Sequence, residues 1–244
     1  MAIKAILRVD KMNEYYLPDD YEPNEVNKTK EDENITYWTK NRIRKSKIYQ
    51  YYVYKYARKI KKSPNTIIDV GCGTGLKLKT LKDEDTQIIG IDQPSAISYC
   101  KNNLDFGEWI ADDIENPEKL SDIPKGDLVI CSDVIEHLND PDKLIKYIKE
   151  AMLKDGILIL STPERDKLRG KQNRNPSNPV HIREWNNREL KRYLEDRGFK
   201  IIDQKNVLPV KISLSFEFLM EMYKALKKFR TPFNNQIIIA KKDE

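Results

Sequence analysis

From residue 66 onward, short apolar runs rich in Ile and Val recur along the chain: TIIDV, QIIGID, GEWIAD, DLVICSD and GILILST. They are nearly continuous rather than alternating. Segments of helical spacing separate them, LIKYIKEAML among them. Strands buried on both faces and joined by helices predict a mostly parallel sheet with helices on either side. FKIIDQKNV and NQIIIAKK read as the sixth and seventh strands. Helix punctuation agrees. Asp140 offers an N-cap ahead of Pro141, and Gly156 reads as the stop of that helix. Trp185, Asn186, Glu189 and Leu190 fit a capping box with a hydrophobic staple, closed by Gly198. Between the last two strands, VKISLSFEFLMEMYKALKKFRTPF predicts a helix near residues 213–229, with apolar residues on most sides and a basic end at Lys227, Lys228 and Arg230.

Upstream of the strands the pattern differs. Residues 17–34 are acidic and Pro-containing and read as loop. Residues 36–62 carry ten Lys or Arg, six Tyr, Trp38 and no acid. Ile43, Tyr52, Tyr56 and Ile60 fall near helical spacing, which predicts a helix ending before Pro64. It is either an ordinary helix with snorkelling lysines or a lid over a ligand site that meets an anionic partner. The expected organisation is an N-terminal extension and cap helix over residues 1–62, then one domain over 63–244 with a polar loop at 161–181 and a helical insert at 211–230.

Composition narrows the class. The chain has 244 residues, 39% hydrophobic and 34% charged, which suits one large domain with appendages. No run approaches the ~18 apolar residues of a membrane span. The stretch MAIKAILRVDKMNEYY lacks the apolar core and cleavage site of a secretion signal. Three cysteines without CxxC spacing read as reduced thiols, so a cytoplasmic location is expected. A net charge of +5 does not call for nucleic acid as a partner.

The candidate chemistry starts at IIDVGCGTG, residues 67–75. A dinucleotide turn reads GxGxxG and sets pyrophosphate on a helix N-terminus. Here Leu76 stands where that fingerprint wants Gly, and no GK[ST] follows. Asp69 at the strand end would repel pyrophosphate but welcome a cation. S-adenosylmethionine (SAM) brings an ammonium, a sulfonium and no phosphate. The next strand ends at Asp92, suited to two ribose hydroxyls, and the third in Asp112-Asp113-Ile114, suited to an adenine amino group and ring. These acids fall near the carboxyl ends of successive strands, where open α/β sheets bind ligands.

With these residues in order, the chain resembles class I SAM-dependent methyltransferases. IIDVGCGTG is similar to their first motif, IIGID to the second, ADDIE to the third and DLVICSDVIEHLNDP to the fourth, and the likeness runs from Thr66 to about Lys205. It implies a Rossmann-like fold with a seven-stranded, mostly parallel sheet. It also implies SAM as cofactor. Asp69, Gly71, Gly73 and Gly75, with Cys72 among them, would line the methionine and ribose side. Asp92 would hold the ribose next to Gln93, Asp113 rather than Asp112 the adenine, and Ile114 its ring. Ser132 would sit beside the methionine portion.

Methyl transfer to an alcohol also needs a base or a metal to take the proton. The chain has two histidines, His137 and His181. His181 is the candidate general base, with His137 and Glu136 as further catalytic candidates. Asp133, Glu136 and His137 have a DxxEH spacing similar to ubiquinone-pathway and small-RNA O-methyltransferases. The RNA enzymes carry Glu where Asp133 stands and His where Leu138 stands, and that departure argues against a resident divalent ion such as Mg²⁺. The loop STPERDKLRGKQNRNPSNPVH is long and cationic, so Arg165, Arg169, Arg174 and the nearby Arg183 are the candidate contacts to an anionic substrate. TPERDKLRG…NPVHIREW resembles methyltransferases of surface-polysaccharide clusters, which implies a sugar hydroxyl on a glycan, a sugar nucleotide or a lipid-linked saccharide. Another small hydroxylated metabolite, an RNA end and a non-catalytic SAM-binding subunit are the alternatives. The insert at 211–230 is expected either to pack in the core or on a homodimer partner, or to touch a membrane surface carrying a lipid-linked substrate.

Overall fold

A computed structural model describes residues 15–24, 39–117, 122–172, 175–228 and 230–243. Seven strands form one sheet: β1 (Thr66–Val70), β2 (Gln87–Asp92), β3 (Glu108–Ala111), β4 (Gly126–Ser132), β5 (Met152–Pro163), β6 (Phe199–Val207) and β7 (Asn235–Lys242). Their order is β3-β2-β1-β4-β5-β7-β6. The pairs from β3 through β5 are parallel, whereas β7 runs antiparallel to both β5 and β6. This is the expected fold class. The sheet reverses its winding between β1 and β4, so the ends of these two strands open onto the place where such sheets take ligands.

The helices are α1 (Lys40–Ser46), α2 (Tyr51–Ile60), α3 (Pro94–Asn103), α4 (Pro141–Ala151), α5 (Arg165–Arg169), α6 (Asn187–Glu195) and α7 (Phe216–Lys227). Two apolar clusters fill the two faces of the sheet. One joins Ile68, Val129, Leu144, Tyr147, Leu160 and Trp185, and the other joins Val53, Ile67, Leu78, Ile130 and Ile239. The predicted caps form. Asp140 accepts from the Asp142 amide with Pro141 in the first turn, and Asn186 and Glu189 make the capping box of α6. Among the described residues no helix is long and apolar enough to cross a membrane.

Several expectations are corrected. Gly156 does not stop α4. That helix ends at Ala151, and Gly156 lies inside β5, where an added Cβ would stand 3.0 Å from the Gly126 carbonyl oxygen. The single helix expected over 36–62 is two helices. Gln50 takes φ +53°, and the break is held by a distant segment. Gln50 N donates to Pro209 O at 2.9 Å, Lys211 N to Ile48 O at 2.9 Å, and Tyr49 bridges Val210. The described part of the acidic stretch, residues 17–24, is loop as expected, but that loop packs on the core. Leu17 and Tyr21 are buried, and Trp185 donates its indole N–H to Tyr15 O at 3.0 Å. The rest of that stretch, residues 25–34, lies outside the described residues, as does Trp38. Finally, α7 buries only Glu217 and Ala225. Leu214, Phe216, Leu219, Tyr223 and Leu226 stay exposed, so the insert is not a core element within this chain. Arg44 of α1 anchors it through an ion pair with Glu217.

Candidate active site

The glycine turn after β1 follows from its backbone. Gly71, Gly73 and Gly75 have φ of +82°, +58° and +65°, a region that L side chains rarely adopt. The turn is bonded to the end of β2, with the Gly71 and Cys72 amides donating to Ile91 O at 2.8 and 3.1 Å. Side chains close on it from outside. A Cβ on Gly71 would meet Val134 Cγ2 at 2.2 Å, and one on Gly75 would meet the Trp109 ring at 2.5 Å. Trp109 likewise fills the space over Gly90 and Gly107, at 2.4 and 3.1 Å. Cys72 is buried, and the Cys100 thiol lies 3.3 Å from Gly73 O.

Three carboxylates sit around this turn, each held differently. Asp92 accepts the Gly73 amide on Oδ2 and the Gln93 amide on Oδ1, both at 2.7 Å. Burial raises its pKa and those two amides oppose the rise. Asp69 is fully buried. Tyr54 donates its hydroxyl to Oδ2 at 2.8 Å, and Oδ1 has no hydrogen-bond partner. Burial pushes its carboxyl up to about 7, with the Tyr54 hydrogen bond and Lys77 pulling the other way. Tyr147 donates its hydroxyl to Asp112 at 2.9 Å. Asp113, the residue expected at the adenine, is exposed and folds into its own turn, accepting the Glu115 amide at 2.9 Å and the Asn116 side-chain amide at 3.3 Å. Ile114 packs at the edge of the core beneath it.

The cap helices are tied to this region. Ser46 Oγ and Thr74 Oγ1 share a hydrogen bond of 2.8 Å. Gln50 donates to Asp133 at 2.9 Å and accepts from the half-buried Lys77 ammonium at 3.4 Å. Asp133 (φ +54°) also takes the Ser161 hydroxyl at 2.8 Å, and Ser161 shares a hydrogen bond of 2.8 Å with Ser132. Asp133 is therefore built into the turn after β4 and does not join Glu136 and His137 as a ligand set.

His181 replaces it. One donor atom from each of Glu136, His137 and His181 lies within 4.8 Å of the others, and the two imidazoles meet edge to face at 4.8 Å. His137 Nδ1 is 2.8 Å from Val180 O and His181 Nδ1 is 2.6 Å from Glu184 Oε1. Both Nδ1 atoms therefore donate, so in the neutral ring it is each Nε2 that carries the lone pair. Glu136 accepts the Thr162 hydroxyl on Oε2 at 2.8 Å, while Oε1 is buried without a hydrogen-bond partner. Burial, and then the nearby Asp133 charge, raise its pKa to about 8. Three donors converge here, so the cluster can take a proton or hold a cation. Glu184 is the residue that sequence reasoning missed. Its only trace is its place three residues after His181.

The arginines expected to contact substrate are tied up wherever they are described. The polar loop contains α5, and Arg165 is buried with both terminal nitrogens 2.7 Å from Glu189. Arg169 is buried on Glu184. Arg183 donates to the Leu138 and Asn139 carbonyls at 3.1 Å and stacks over Tyr15. These guanidiniums hold the His181 segment against α6 and the turn after β4. Arg174 lies outside the described residues.

A reversed charge balance at Asp69 has a measurable sign. Its folded pKa of about 7 stands above the unfolded value of ~3.9. As pH rises between the two, the unfolded chain releases the proton while the folded chain keeps it, so stability falls and the loss is complete above about pH 7. Asp69→Asn should therefore unfold at higher denaturant than wild type at pH 8, by roughly 1–3 kcal/mol, with the advantage gone near pH 4. Urea unfolding at the two pH values checks it, and an equal offset at both would refute the charge account.

The sequence profile of a methyltransferase domain matches residues 40–204. A ubiquinone biosynthesis O-methyltransferase of Pelagibacter ubique is 29% identical over 102 residues, covering 39% of this chain and 41% of that protein. A probable S-adenosylmethionine-dependent methyltransferase of Mycobacterium tuberculosis is 28% identical over 138 residues, 54% of this chain and 48% of its own. The chain thus spans less than half the length of these curated relatives. Among solved structures, an S-adenosylmethionine-dependent methyltransferase of Clostridium acetobutylicum superposes with a TM-score of 0.57 at 14% identity, covering 80% of this chain and 92% of that one. The plantazolicin methyltransferase BpumL in complex with SAH does so with 0.59 at 16%, covering 89% and 92%. With the profile spanning well over half of its residues, the chain belongs to the methyltransferase-domain family, the S-adenosylmethionine-dependent methyltransferases.

Proposed function

We propose that this protein transfers a methyl group from SAM to a hydroxyl, with His181 as the general base. The observation that carries the reading is the His181 imidazole, pinned through Nδ1 by Glu184 and left with a free Nε2 beside His137 and Glu136. Transfer from a sulfonium is an in-line displacement. The donor is already reactive, so the site mainly aligns the acceptor and removes its proton. The glycine turn and Asp92 are assigned to the cofactor's amino acid and ribose. Asp69 sits beneath that turn, where its buried carboxyl answers the cofactor's positive charge. For adenine, Asp112 at the end of β3 is as well placed as Asp113, and Ile114 supplies apolar surface.

The acceptor we favour is a sugar hydroxyl on a glycan, a sugar nucleotide or a lipid-linked saccharide. That choice rests on the likeness of TPERDKLRG…NPVHIREW to polysaccharide-cluster enzymes. The second reading, another small hydroxylated metabolite, is favoured by the name of the Pelagibacter ubique relative, a ubiquinone biosynthesis O-methyltransferase. Both use the same proton acceptor. The exposed face of α7 is assigned to a partner surface, either a second copy of the chain or a membrane carrying the acceptor.

A cation at Glu136, His137 and His181 is compatible with the donor set, since one carboxylate oxygen is unpartnered and both Nδ1 atoms are held by a carbonyl or a carboxylate. A divalent ion there would supply Lewis-acid activation of the acceptor oxygen. One experiment separates these readings. Methyl-labelled SAM is incubated with sugar nucleotides and with polyhydroxylated aromatics, with and without EDTA, and products are read by mass spectrometry. Label on a sugar supports the favoured acceptor, label only on aromatics the second reading, and no label with SAM bound would overturn catalysis. Activity in excess EDTA, with no Mg²⁺-induced rise in melting temperature that His137→Ala removes, would exclude the ion.

A further inference from the structure

Beside the glycine turn, on the side of the cap helices, lies a cavity of about 390 Å³. Four separate segments bring cations to it: Lys47 after α1, Lys55 and Arg58 on α2, Lys77 just past the glycine turn, and Lys211 between β6 and α7. Among the described residues no carboxylate lines it. Lys47 and Lys55 have no side-chain partner among the described residues. Lys77 bonds only neutral oxygens, Ser46 O at 3.1 Å and Gln50 Oε1 at 3.4 Å, and burial lowers its pKa. Arg58 pairs with Asp83 at 2.5 and 2.7 Å, and the charges of Asp69 and Asp133 act on Lys77 from behind the wall. Tyr51 forms part of the wall, with Lys211 4.8 Å from its ring centre. The N-terminus of α2 opens at the same wall without a capping side chain and without an acid in its first turn.

Like charges gathered around a concave surface repel one another and focus a positive potential into it. An ordinary solvated lysine face interleaves acids and is convex. This one is concave, has no acid among its described lining residues, meets a helix N-terminus and carries an aromatic wall, features that suit phosphate esters. We propose that this cavity binds a diphosphate-bearing ligand, its phosphates held by Lys47, Lys55, Lys77 and Lys211 and its attached ring laid on Tyr51. The cations that the polar loop turns inward toward Glu184 and Glu189 are thus replaced, as anion contacts, by cations from the cap. Binding stands on the cavity alone. Only the further step, that the diphosphate belongs to the acceptor being methylated, rests on the function proposed above.

The test uses the whole chain saturated with S-adenosylhomocysteine, so that the glycine turn is occupied. Calorimetry with pyrophosphate and with uridine diphosphate should show binding, and the double variant Lys47→Glu/Lys55→Glu should weaken it at least tenfold. Lys227→Glu/Lys228→Glu, reversed at the end of α7 outside the cavity, should change it less than twofold. Absence of pyrophosphate binding at millimolar concentration, or equal loss in both double variants, would overturn the proposal. Failure of S-adenosylhomocysteine to bind would instead strike the methyltransferase reading and leave the cavity standing. Co-sedimentation with phosphatidylcholine vesicles, with and without phosphatidic acid, distinguishes the source. Vesicle binding lost in Lys47→Glu/Lys55→Glu assigns the phosphate to a lipid headgroup, and calorimetric binding without vesicle binding assigns it to a soluble ester.

Discussion

His181→Ala should leave SAM affinity and folding intact and lower kcat by about 10²–10⁴-fold, the usual contribution of a positioned general base. The side chain is well placed for a selective loss. Its Nδ1 is held 2.6 Å from Glu184 Oε1, and Glu184 is itself fixed by Arg169 and by the Tyr21 hydroxyl that takes its backbone amide at 2.7 Å. Removing the ring leaves Glu184 on Arg169, so no new unpaired charge is created. Glu184→Gln should give a smaller loss in kcat together with a changed pH profile, because an amide orients the imidazole but does not stabilise the imidazolium. A His181→Ala enzyme within about threefold of wild-type kcat would be too active for this role. It would move the search to Glu136 and His137.

Asp92→Ala should weaken SAM binding by roughly ten- to hundredfold, about 1.5–3 kcal/mol, through loss of charge-assisted hydrogen bonds. Two effects combine. The carboxylate is the group proposed to take the ribose hydroxyls, and it also holds the Gly73 and Gln93 amides at 2.7 Å. The variant therefore loses a ligand contact and the bonds that shape the turn. Asp92→Asn keeps one acceptor oxygen and should fall between the two. Calorimetry measures both, and unchanged affinity in Asp92→Ala would sink the ribose assignment.

Most strands were legible because they are short Ile/Val runs bounded by polar residues, a signal set by the local chain, although β5 starts at Met152, inside the run read as the preceding helix. FKIIDQKNV and NQIIIAKK match β6 and β7 residue for residue. Caps read equally well, since Asp140-Pro141 and the Asn186–Glu189 pair act within one helical turn. What the sequence hid depends on distant partners. The break between α1 and α2 is made by Pro209, Val210 and Lys211, about 160 positions away. The arginines of the polar loop look free in sequence, because the partner acids Glu184 and Glu189 lie on another element and only the fold aligns them. Glu136 and both histidines were recognisable by residue type, but their convergence was not. His181 reaches the cluster across more than forty residues of intervening chain, whereas Asp133, only three positions from Glu136, turns away to Gln50 and Ser161.

The ring of Trp109 bears on how this sequence can drift. One indole occupies the space that a side chain would need at Gly75, Gly90 and Gly107. None of the four positions is free to change alone, so neutral variation there proceeds by paired substitutions or stalls. The three glycines are not equivalent partners in such pairs. Gly90 lies in β2 outside the left-handed region, and its constraint is steric only, so a smaller residue at 109 removes the main clash and leaves the Cys72 thiol at 3.0 Å to give way. Gly75 and Gly107 carry φ of +65° and +81° and keep their backbone constraint whatever stands at 109. Epistasis with Trp109 is thus reciprocal at position 90 and one-sided at 75 and 107, where a smaller neighbour makes room that no larger side chain can readily use.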